Sequence, residues 1–107
     1  MSELAITTGT WVVEPTKQDA FIAAWTDFVS WAGTMPGATT FRLGQATQDE
    51  THFTSFAAWK TLDEAQAWKS HPEFQEHLAR VLQHVDDFST MQLSVVATVA
   101  AAEYGRV

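Results

Sequence analysis

The stretch SFAAWKTLDEAQAWKSHPEFQEHL, residues 55–78, decides the fold. Its first part alternates like a strand and closes on Trp59, and TLDE then has the T-x-x-E form of a capping box. That box places Thr61 ahead of a short helix running to about Lys69. SHPE repeats the device with Ser70, and Pro72 is tolerated in a first helical turn. A longer helical segment follows from about Glu73 to Phe88, with Phe74, Leu78, Val81, Leu82, Val85 and Phe88 as its apolar stripe. A strand that feeds a helix pair is the second half of a split βαβ pattern.

Working outward, LAITTGTWVV (Leu4 to Val13) is rich in strand formers and stops at Pro15 and Thr16. From Lys17 to Gly33 the residues Phe21, Ala24, Trp25, Phe28 and Ala32 recur at helical spacing until GTMPG breaks the pattern. ATTFRLGQAT and THFTSFAAW flank the polar QDE and are expected to pair as a hairpin. MQLSVVATVA supplies a last strand. The order is βαββαβ, so the chain is expected to form one α+β domain over residues 1–107, a ferredoxin-like sandwich. Helices cover only one face of such a sheet. The other face would carry His52, Thr54 and Phe56 beside a last strand that is apolar around Val95 and Val96, and a second copy is its simplest cover. A homodimer is expected.

Composition narrows the function classes. Six Lys and Arg against 13 Asp and Glu give a net charge of -7, so no basic stripe exists to follow a phosphate backbone, and nucleic acid is not an expected partner. No apolar run approaches the length of a membrane span, and MSELAITT lacks a basic region ahead of an apolar core. A cytoplasmic location without membrane contact is expected. With no cysteine, disulfides, thiolate metal sites and cysteine nucleophiles are absent together. The four histidines lack the i, i+4 pairing of a helical zinc site, and no metal site is expected.

The strand ending in Trp59, the E-A-x-x-W-x-x-H-P-x-F run from Glu64 to Phe74 and the final apolar strand together resemble the antibiotic biosynthesis monooxygenase family. The sharp part of the resemblance covers residues 53–78. It implies a dimeric α+β barrel with a pocket between sheet and helices, and a monooxygenase that uses no cofactor on a small aromatic or quinol-type compound. Phe53, Ser55, Ala57 and Trp59 share one strand face, and the resemblance implies that it is the helix-covered one. Ser55 stands where the polyketide oxygenases of the family carry an Asn that bonds the substrate.

On that reading His77, Ser55 and Trp59 are the catalytic candidates, with His77 as base. Trp25, Phe41, Phe53, Trp68 and Arg80 would bind the ring. Core packing competes for the large side chains: Trp25 fits ordinary core, Trp59 fits core or cavity wall, and Trp68 fits lid or anchor. Two alternatives remain. Haem-degrading relatives use a helical His as iron ligand, and His77 follows Trp68 by nine residues, but their strand-one Asn is replaced around Thr8 and Gly9. A dimeric ligand-binding or stress-related module without turnover is the other.

Overall fold

In the computed structural model, which describes residues 4–101, the elements run β1 (Ala5–Val12), a 3₁₀ turn (Pro15–Lys17), α1 (Gln18–Ala32), β2 (Ala38–Gln45), β3 (His52–Trp59), α2 (Leu62–Lys69), α3 (Phe74–Leu82) and β4 (Asp87–Ser94). The sheet has the order β2-β3-β1-β4 and every neighbouring pair is antiparallel. This is the ferredoxin-like α+β arrangement.

The helix boundaries have local causes. The Thr61 hydroxyl accepts the Glu64 amide at 3.1 Å and donates to the Glu64 carboxylate at 3.0 Å, so Thr61 caps α2 as the sequence predicts, with the carboxylate on the hydroxyl rather than on the Thr61 amide. The repeat of that device does not form. Ser70 ends α2 as its C-cap, and the first turn of α3 is instead helped by His71, whose Nδ1 accepts the Glu73 amide at 3.1 Å. After α1, Gly37 holds φ at 85°, a left-handed value that suits glycine, where the chain turns into β2.

Strand pairing fixes which side chains meet the helices. Thr7 lies opposite Ala57, Gly9 opposite Ser55 and Trp11 opposite Phe53, so these six share one face, and Phe41 joins them opposite Ala57. That face and the helices enclose the core, in which Phe21, Phe28 and Ala32 of α1 and Leu78 and Val81 of α3 are buried. The opposite face stays open and carries Ile6, Phe56, Ala58, Met91 and Leu93.

One boundary differs from the sequence reading. The stripe through Val85 and Phe88 predicts a helix to Phe88, yet α3 ends at Leu82 and β4 begins at Asp87. Both residues do pack against the core, but Phe88 does so from a strand, opposite Trp11 and with ring centroids 4.5 Å apart. A core-facing strand residue thus imitates the next step of a helical stripe. Val95 and Val96 fall beyond β4, whose pairing with β1 ends at Ala5 opposite Ser94, although the Val95 amide still donates to the Leu4 carbonyl at 2.9 Å. The apolar residues that β4 presents to the open face are Met91 and Leu93.

Candidate functional site

Between the helix-facing side of the sheet and the three helices lies a cavity of about 50 Å³. Strand alternation brings Gly9 and Trp11 of β1, Phe41 of β2 and Ser55 of β3 to its walls. The helices close it with Trp25 and Phe28 of α1, Trp68 and Lys69 of α2, and Phe74 and Leu78 of α3. Such room exceeds the roughly 10–15 Å³ that a water requires and falls short of the ~150 Å³ of an apolar cavity that accepts benzene. A single ring therefore requires a modest outward shift of the wall, whereas a multi-ring compound would require a large one.

Ser55 is the positioned hydroxyl of this cavity. The Trp11 indole donates from Nε1 to Ser55 Oγ at 3.0 Å, which leaves Ser55 its own proton to give and fixes the oxygen from behind. Gly9 permits that contact. A Cβ at Gly9 would stand 2.9 Å from three atoms of the Trp11 ring, so only a glycine lets the indole fold back along β1 toward Ser55.

The two tryptophans of residues 55–78 divide the alternatives between them. Trp59 is wholly enclosed and lies outside the cavity lining. It stacks on Trp68 at 5.0 Å, meets Phe41 edge-on at 5.9 Å and donates to the buried Thr7 hydroxyl at 3.3 Å. Its part is to back the wall. Trp68 forms the wall itself, with Phe28 and Phe74 against it at 5.6 and 5.0 Å. Trp25 and Phe41 also border the cavity, while Phe53 packs on Phe21 at 5.1 Å, away from it.

His77 and Arg80 lie on a different side of α3. Leu78 and Val81 are its buried positions, and each candidate precedes one of them, turned by about 100° around the helix. The His77 ring stacks on Trp31 at 4.1 Å, with Nε2 3.5 Å from the Glu73 carboxylate. Arg80 pairs with Glu76 at 2.6 Å. Neither borders the cavity. Among the described residues no three His, Asp or Glu side chains converge as metal ligands would.

The sequence reading takes Trp11 as packing or dimer surface and Phe28 as part of the α1 stripe, and gives Lys69 no role at the site. Trp11 was open to discovery by the same alternation that places Ser55, once strand register is known. Lys69 reads in sequence as a cation suited to the C-terminal end of α2. In the structure it borders the cavity, and burial lowers its pKa from the ordinary lysine value.

The profile of the antibiotic biosynthesis monooxygenase family matches residues 6–80, a span that takes in β1 from its second residue, α1, the β2–β3 hairpin, α2 and α3 as far as Arg80. The chain belongs to the antibiotic biosynthesis monooxygenase family. No curated protein matches it by sequence. Solved structures share the family fold at low identity. A variant of SnoaB, a cofactor-independent oxygenase from Streptomyces nogalater, superposes with a TM-score of 0.82 at 12% identity, over 94% of this chain and 100% of that one. A putative antibiotic biosynthesis monooxygenase from Nitrosomonas europaea gives 0.76 at 20% identity, over 94% and 97%. One from Deinococcus radiodurans gives 0.80 at 13%, over 94% and 100%.

Proposed function

We propose that this member of the family is a monooxygenase that oxidises a small, electron-rich aromatic compound of phenol or quinol type, with no cofactor of its own. The observation that carries the reading is the cavity walled by Trp25, Phe41 and Trp68, with the Ser55 hydroxyl held in place by Trp11. Such a substrate, once deprotonated, passes one electron to dioxygen, and the resulting radical pair combines at carbon to a peroxide. Loss of water then leaves a carbonyl: the ring C–H at the attacked carbon and the phenolic O–H give up one hydrogen each, that carbon gains one oxygen atom to make a quinone, and the second oxygen departs as water. The protein's share is to hold the ring, exclude solvent and offer a hydroxyl to the oxyanion.

The test is turnover of a panel of single-ring phenols and quinols under isotopically labelled dioxygen. Incorporation of one labelled oxygen atom per product, lost when the cavity is blocked, is the expected result. A bound ring that is never oxidised would point instead to the binding module without turnover. The haem alternative rests on His77, which stacks on Trp31 outside the cavity, and no observation favours it.

The reading includes a homodimer built on the open face of the sheet. Phe56, Met91 and Leu93 are 49%, 59% and 38% exposed there in the single chain, and large apolar side chains grouped on one open sheet face suit an interaction surface. Light scattering at micromolar concentration should give the mass of two chains, and Phe56→Glu should reduce it to one. A parent protein that is monomeric at that concentration contradicts the assembly. Among the described residues no helix is long and apolar enough to cross a membrane.

A further inference from the structure

Part of the cavity wall has open space behind it. On α1, Ile22, Trp25 and Thr26 stand at i, i+3 and i+4, and on the edge strand β2, Phe41, Leu43 and Gln45 alternate toward the helices. The two rows border a cleft of about 350 Å³ that Phe53 also lines. Trp25 and Phe41 line the cleft and the cavity alike. Each of these two rings therefore has unfilled space on two sides, whereas Trp68 is backed by Trp59 at 5.0 Å. The outward shift of the wall that a single ring requires meets least resistance at Trp25 and Phe41, because close-packed side chains move only by displacing their neighbours.

We propose, resting on the cavity as the ring-binding site, that this cleft is a second subsite of it: the ring enters past Trp25 and Phe41 from the α1–β2 edge, and an unbranched alkyl chain carried by the ring stays in the cleft against Ile22 and Leu43. The lining selects that chemistry. Among the described residues no charged side chain lines the cleft, and its two polar side chains already donate within the protein, Thr26 to the Ile22 carbonyl at 2.7 Å and Gln45 to the Glu50 carbonyl at 2.8 Å. Ile22 is 42% exposed, so a chain laid against it removes apolar surface from water and leaves no polar group unpaired. An ordinary groove between a helix and an edge strand has packed core beneath it. This one has Trp25 and Phe41, and the same two rings wall the cavity.

Phenol and para-butylphenol separate the cleft from the cavity, since they present the same ring and differ only in the chain. Calorimetric titration of the parent should show para-butylphenol binding at least about tenfold more tightly, the gain expected when roughly half of the chain leaves water. Para-hydroxyphenylpropionate, whose substituent is of similar length and ends in a carboxylate, should gain nothing over phenol. Ile22→Glu, which puts a charge in the cleft at an exposed helical position, should cut the butyl gain to about threefold or less. Ile22→Leu should keep it. If phenol and para-butylphenol bind the parent equally, if the propionate gains as much as the butyl chain, or if the butyl gain survives Ile22→Glu, the cleft subsite is wrong and the ring site stands. If neither ring binds, the ring site itself is wrong and the cleft falls with it.

Discussion

Replacing Trp59 with Ala should destabilise the protein by about 3–5 kcal/mol in chemical denaturation, the usual cost of removing a large aromatic from a core. Trp59 has no exposed surface, and its ring is held by Trp68 on one side, Phe41 at its edge and the Thr7 hydroxyl at its nitrogen. Ala would leave a void behind the cavity wall and strip Trp68 of its support. A loss of this size should lower the melting temperature by well over about 10 °C in a domain of this length. Trp59→Phe should keep most of the apolar area and fold with a smaller deficit. A Trp59→Ala protein as stable as the parent would mean that Trp59 is not the structural backing described.

The second large effect is expected at Ser55. Leu in its place adds apolar bulk inside a cavity of about 50 Å³ and removes the acceptor of the Trp11 indole. Ring affinity should fall at least thirtyfold, about 2 kcal/mol, and oxidation of any ring substrate should fall with it. Stability should change by roughly 1–3 kcal/mol from overpacking and the orphaned indole. Near-ultraviolet circular dichroism tells a folded but blocked protein from an unfolded one. A folded Ser55→Leu protein that binds rings as the parent does places the ligand elsewhere.

Much of the fold is legible in residues 55–78 because its signals are local. A Thr and a Glu three positions apart cap their own helix, and strand alternation carries Ser55 and Trp59 to one face whatever the rest of the chain does. The end of α3 is not legible, because Phe88 reaches the core from a strand at the position where a helix would also have placed an apolar residue. The far end of β4 depends on where its partner β1 begins, a fact that lies some ninety residues away in the chain.

The candidate site divides along the same line. Face assignments on strands follow from alternation, so Ser55 and Phe41 fall where expected. His77 and Arg80 stand out in the sequence by their chemistry and spacing, and one residue's rotation on α3 carries each of them past the cavity to Trp31 and Glu76. The Trp11–Ser55 bond joins residues 44 positions apart and rests on a glycine that makes room for an indole. No spacing rule encodes such a contact. Lys69 escapes notice because a lysine ending a helix has an adequate local explanation.

The claim on which the account depends is that the space between the sheet and the helices receives an aromatic ring. A crystal structure of the protein soaked with a single-ring quinol or benzoate tests it directly. The account predicts the ring between Trp25, Phe41 and Trp68, with an oxygen within hydrogen-bonding distance of Ser55 and the wall displaced outward by the volume the ring requires. A ring found on the open sheet face, or beside His77 and Trp31 with the cavity unchanged, would contradict it.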